Sequence, residues 1–177
     1  MGSSEELVQA TACDIVERLR KNEITPHDLL DALETRIRKV DGEVNALPIL
    51  CFDRARDHAD ELMKKPVAER GLLAGMPVPI KDLTDVAGVR TTQGSPIFKD
   101  VVASKSNIVV ENLETNGAIV YAKSNTPEFG AGAQTFNEVF GATRNPWNLS
   151  RSASGSSGGA AAALASGTAW LAHGTDV

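Results

Sequence analysis

The chain has 177 residues, 42% of them hydrophobic and 23% charged, a balance that excludes intrinsic disorder and suits one folded unit with a sizeable core. Eighteen Lys and Arg against 23 Asp and Glu leave a net charge of −5, which argues against a broad surface for nucleic acid or anionic lipid and in favour of small-molecule or protein partners. Cys13 and Cys51 lie far apart with no CxxC, and residues 1–11 carry Glu5 and Glu6 instead of a basic start and an apolar run, so a reducing cytoplasm is the expected compartment.

The polar start Ser3, Ser4, Glu5, Glu6 followed by Val8, Ala12, Ile15, Val16 and Leu19 at helical spacing predicts one amphipathic helix to about Lys21. Thr25 is placed to cap a second, with Pro26 at its first position, Asp28 completing a capping box and Leu30, Leu33, Ile37 and Val40 on one face; Asp41 and Gly42 are expected to end it. A short strand is expected over 47–51 and a helix over 52–65, with Ala55, Ala59, Leu62 and Met63 facing one way, before Pro66 closes the unit. Residues 1–66 thus read as a helical segment packed on a core formed by 67–177.

Residues 76–81 read as extended, against the evidence of Pro77 and Pro79, which cannot donate to a ladder and normally demote a strand to an edge. A helix over 107–116, stopped by Asn116 and Gly117, precedes the apolar run 118–122, and helix followed by strand indicates an α/β layer. Residues 124–151 are rich in Asn, Gly, Pro and Thr and are expected to form a long functional loop pinned by Phe129, Phe136, Phe140 and Trp147. A Gly/Ser turn then leads into a helix over 160–165, Gly167 stops it, and 169–173 reads as a buried strand. Residues 152–175 carry no formal charge, but they are mostly Ala, Gly and Ser, too weakly apolar for a membrane span.

The turn in "SASGSSGGAAAALASG" resembles a linker only in composition, since it runs straight into a helix. Two readings suit a turn followed by a helix: outward amides that hold an anion or a developing oxyanion, or small residues that allow close packing. No Lys follows Gly158 or Gly159 as a P-loop requires, which leaves serine chemistry at Ser156 or Ser157. His27 and His58 read as surface residues and His173 has no identifiable acidic partner, so the base of a histidine triad is wanting. Lys81, at the end of an apolar strand, could serve as base if burial strips its charge; the alternative is a solvated strand end or an ion pair with Asp82.

"GLLAGMPVPIKDLTDVAGVRTTQGS", "GAIVYAKSNTPEFG", "TRNPWNLSRSASGSSGGAAAALASG" and "HGTDV", in this order and spacing, resemble the amidase signature family over nearly the whole chain. The resemblance implies the N-terminal portion of an α/β/α sandwich around a mixed sheet, preceded by helices. It also implies amide hydrolysis by a Ser-cisSer-Lys triad without metal or organic cofactor. Lys81 would be the neutral base, Ser156 the proton relay on a cis peptide and Ser157 a supporting hydroxyl. The attacking serine is expected just beyond Val177, whose amide would be the one oxyanion donor within the chain, so these residues alone are expected to be inactive. Ala153 and Ser154 stand where the family usually has Pro-Gly. A small amide substrate and a C-terminal remainder of the same enzyme are the implied partners, with no nucleic acid or membrane bound by this segment. The glutaminase subunit of a tRNA-dependent amidotransferase is similar over the same motifs and is a second reading. A non-catalytic or split fragment that binds a complementary chain is a third.

Overall fold

A computed structural model describes residues 4–176. Two helices, α1 (Ser4–Gln9) and α2 (Ala12–Arg20), replace the single one expected at the start. The break lies at Thr11, whose extended backbone and side chain form a capping box with Asp14, so a local cap overrides a continuous apolar stripe. The Thr25 and Asp28 box starts α3 (Pro26–Val44) as expected, but the helix runs past Asp41 and Gly42 to a left-handed Asn45. Asp41 is an anchor instead of a stop: its carboxylate accepts from the amides of Ala46 and Leu47 at 2.8 and 3.0 Å, which fixes the chain beyond the helix.

The central sheet has three strands in the order β1 (Ile49–Leu50), β3 (Ile119–Ser124), β2 (Pro77–Lys81), with β1 antiparallel and β2 parallel to β3. Between β1 and β2 comes α4 (Phe52–Met63), and α5 (Ile108–Thr115), capped by Asn107, precedes β3. Side chains of β3 alternate between two apolar clusters: Ile119 and Tyr121 join Leu30, Leu33 and Leu62, whereas Val120 joins Val78, Ile80 and Val110. Burial on both faces requires helices on both sides, and each buried Leu or Ile contributes about 1.5–3 kcal/mol. The result is a mixed sheet with α3, α4 and α6 (Gly158–Ser166) against one side and α5 contributing to the other.

The prolines find their explanation here. Among the described residues β2 is an edge strand, its register shifts between Val78 and Ile80, and Pro79 offers only its carbonyl to the open side, where it accepts from His173 N–H at 3.1 Å. For the same reason 169–173 is irregular chain instead of the expected strand: an edge with prolines at 77 and 79 has too few donors for a ladder.

The stretch 124–151 contains two short antiparallel ribbons, β4 (Phe136–Asn137) with β5 (Gly141–Ala142) and β6 (Arg144–Asn145) with β7 (Asn148–Ser152). Its expected aromatic pins are mostly outside: Trp147 is 85% and Phe136 63% exposed, and only Phe140 packs inward, under the Arg90 guanidinium. Buried polar side chains do the pinning. Asn125 Nδ2 donates to Thr143 Oγ1 at 3.0 Å, Asn137 Nδ2 donates to Asn125 Oδ1 at 2.7 Å, and Thr143 Oγ1 donates to the Asn45 carbonyl at 2.6 Å. Among the described residues no helix is long and apolar enough to cross a membrane.

Candidate active site

Strand β2 carries Lys81 at its C-terminal end, and the residue is fully buried. The adjacent Asp82, just past the end of the strand, points elsewhere. The Asp82 carboxylate accepts from Lys123 Nζ at 3.1 Å and from the Thr92 amide and hydroxyl, the latter at 2.5 Å, so the acid that could have paired with Lys81 is already engaged. Lys81 is neither a solvated strand end nor the partner of Asp82.

Its amine reaches three hydroxyls instead: Nζ lies 2.8 Å from Ser156 Oγ, 3.0 Å from Ser157 Oγ and 2.7 Å from Thr175 Oγ1. Burial pushes the Lys81 amine below the ordinary lysine range. An uncharged amine has two N–H groups and one lone pair, so it can donate to two of these hydroxyls and accept from the third. A serine hydroxyl so placed can pass a proton to nitrogen. Thr175 belongs to the "HGTDV" motif, but nothing in its type or spacing singles it out; only the fold brings it to the amine.

The serines stand on the turn that enters α6. The Gly155–Ser156 peptide is cis, and Ser154 adopts φ 62°, a left-handed conformation that favours the glycine usual in the resembling family. Of the two readings of the Gly/Ser turn, close packing describes the first helical amides. Gly158 N–H donates to Thr135 Oγ1 at 3.1 Å and Gly159 N–H to the Asn125 carbonyl at 3.2 Å, so neither is free to hold an oxyanion. A Cβ on Gly159 would collide with the Asn125 backbone, which is why a side chain is excluded there. Val177, the expected oxyanion donor, lies outside the described residues.

His173 flanks Lys81 from the open edge. Desolvation by burial holds its imidazole below the usual histidine range, and the neutral Nδ1 accepts from the Lys81 backbone N–H at 3.4 Å. His27, near Asp60, and His58, near Glu114, stand on α3 and α4 and do not line the serine cleft. Burial pushes the Cys51 thiol up to about 11, so it is no nucleophile at neutral pH. Among the described residues no group of three or more His, Cys, Asp or Glu side chains is placed to hold a metal ion.

Ser156 and Ser157 open onto a cleft of about 740 Å³ whose walls include Phe129, Ala131, Ala133 and Ala161. Thr175 and Asp176 complete the lining, so these apolar walls stand beside a polar centre that carries an acidic side chain.

A sequence model of the family described as Amidase matches residues 28–177. The chain is similar to a glutamyl-tRNA(Gln) amidotransferase subunit of Sulfolobus acidocaldarius, 36% identical over 163 residues that cover 92% of this chain and 34% of that protein. Its likeness to the subunit of the same name from Roseiflexus sp. (strain RS-1) is 40% over 171 residues, covering 96% and 35%. Among solved structures, 6-aminohexanoate cyclic dimer hydrolase superposes with a TM-score of 0.85 at 34% identity over 94% of this chain and 34% of that one. Fatty acid amide hydrolase superposes with a TM-score of 0.90 over 100% of this chain and 32% of that one, at 22% identity, a likeness of fold. The chain spans about a third of the length of the curated relatives it matches.

Proposed function

This chain belongs to the amidase family, and from that premise we propose that it supplies the proton-handling part of a serine amide hydrolase whose attacking serine follows Val177 in a longer protein. Lys81 is the base and Ser156 the relay. As the attacking serine adds to the amide carbonyl, its proton passes to Ser156 while the Ser156 proton passes to the Lys81 lone pair. The lysine proton then returns along the same path to the leaving nitrogen, ammonia or an amine departs, and an ester remains on the attacking serine. Water, deprotonated by the same relay, cleaves that ester to the carboxylic acid and restores the serine. Ser157 supports by holding one N–H of the base. The observation that carries this reading is a fully buried amine 2.8 Å from the Ser156 hydroxyl with three hydroxyls as its hydrogen-bond partners.

A second reading is the glutaminase subunit of a tRNA-dependent amidotransferase, favoured by the names of the two curated relatives at 36% and 40% identity. The Thr126, Pro127, Glu128, Phe129, Gly130 run is more similar to free-standing amidases. The two readings separate on a panel of aryl and aliphatic amides against glutamine, with and without charged tRNA and a partner subunit. Hydrolysis of simple amides by the full-length protein alone is the expected result. Strict dependence on the partner and tRNA decides for the glutaminase, and undiminished turnover by Lys81→Ala or Ser156→Ala defeats both.

A further inference from the structure

The serine turn is gripped on both flanks by one buried residue. Thr135, 1% exposed, donates its amide to the Ser154 carbonyl at 2.9 Å and accepts at Oγ1 from Gly158 N–H at 3.1 Å. Only Gly155, Ser156 and Ser157 lie between the two gripped residues. Thr135 is in turn fixed, because its carbonyl accepts from the Thr143 amide at 2.9 Å, and Thr143 is tied to Asn125 and Asn45. The fit is close: a Cβ on Gly158 would run into the Thr135 side chain. Thr135 itself does not line the cleft.

We propose that Thr135 is a positioning residue for Ser156, an inference that rests on the reading of Ser156 as proton relay. The relay works only while its oxygen stays within hydrogen-bond reach of the lysine amine and of the attacking serine together, and a misplacement of about 1 Å costs about 100-fold in rate. The Thr135 hydroxyl contributes the acceptor that sets the height of the helix start, and the Thr135 amide fixes the chain as it enters the turn. Two points on one rigid residue determine the position of the peptide between them. Substrate contacts are untouched, so loss of the hydroxyl acts on turnover and not on binding.

The test compares steady-state hydrolysis of one amide substrate by the full-length protein as wild type, Ser156→Ala, Thr135→Val and Thr135→Ser. Thr135→Val keeps the shape and removes the acceptor; kcat is expected to fall about 100-fold with KM within about twofold, and Thr135→Ser to recover to within about threefold of wild type. Ser156→Ala reports on the relay separately. If it removes turnover while Thr135→Val keeps the wild-type kcat, the clamp is wrong and the relay stands; if Ser156→Ala stays active, the relay itself is wrong. Hydrogen exchange at Gly158, followed by mass spectrometry on the same proteins, reads the clamp without turnover. Exchange is expected to quicken in Thr135→Val and slow again in Thr135→Ser, and equal exchange in both overturns the proposal. Should Thr135→Val not fold, Thr135→Cys takes its place, since a thiol is a weak acceptor, and a kcat equal to that of Thr135→Ser then counts against the clamp.

Discussion

Lys81 and Lys123 stand on neighbouring parallel strands, both with no exposed surface, and their surroundings are opposite. Lys123 meets a carboxylate, Asp82, and the hydroxyl of Thr91; Lys81 meets three hydroxyls. Burial pushes both amines below the ordinary lysine range, but for Lys123 the charge and hydrogen bond of Asp82 work against that push, whereas no such opposition acts on Lys81. Depth alone therefore does not decide how a buried amine is compensated. What distinguishes the two amines is where the Asp82 carboxylate points: from just past the end of β2 it reaches across to Lys123 on β3 and not to its own sequence neighbour.

The sharpest way to break this comparison is to remove each amine in turn. Lys81→Met in the full-length protein is expected to lower kcat on the order of 10³-fold, the scale of a lost general base, while the melting temperature holds or rises because a desolvated amine is gone. Lys123→Met is expected to lower the unfolding free energy by about 3–5 kcal/mol, because Asp82 is left as an uncompensated buried charge. Asp82→Asn combined with Lys123→Met should recover most of that loss. Equal destabilisation by both methionine variants in urea unfolding would show that the two lysines do the same structural work.

How far the sequence alone reaches differs between these sites. Lys81 and Ser156 are legible because a lysine ending an apolar strand and a serine turn entering a helix are local patterns, and the amidase signature resemblance then links them. The capping box at Thr25 is legible on the same terms, and the one at Thr11 has the same local form. The partner of Asp82 is not, because Lys123 is 41 residues away and only strand pairing brings it close. Thr135 and Thr175 are hidden for the same reason: a threonine in a loop carries no mark of what the fold will set beside it. The aromatic residues mislead in the opposite direction, since Trp147 and Phe136 sit in short ribbons held by Asn125, Asn137 and Thr143. In that stretch hydrogen-bond satisfaction, not apolar burial, sets the geometry.

A milder probe is pH. If Lys81 is the base as proposed, turnover needs its uncharged amine, and kcat/KM should rise as pH climbs through its lowered pKa and level off before the ordinary lysine value of about 10.5. Stability follows with a defined sign. Between the lowered native pKa and the ordinary value the unfolded chain binds more protons than the folded one, so the unfolding free energy increases with pH across that window and is smallest below it. Lys81→Met should flatten this increase. Urea unfolding of wild type and variant across the window measures the difference, and parallel curves would mean that Lys81 titrates alike folded and unfolded.

The smallest expected effect tests which hydroxyl receives which face of the amine. Ser157 Oγ is tied on its other side to the backbone of Thr175, accepting from its amide and donating to its carbonyl, both at 3.2 Å, so Ser157 and Thr175 form one unit beside the Lys81 amine. If that unit takes the two N–H groups of the neutral amine, the lone pair is left for Ser156. Thr175→Val removes one of the two acceptors, which is worth about 1 kcal/mol, and lets the amine rotate its lone pair off the relay. The expected outcome is a fall in kcat of about five- to tenfold with KM unchanged, and recovery in Thr175→Ser. A fall in Thr175→Val as large as that in Lys81→Met would instead assign the Thr175 hydroxyl a direct part in proton transfer, and would move the relay away from Ser156.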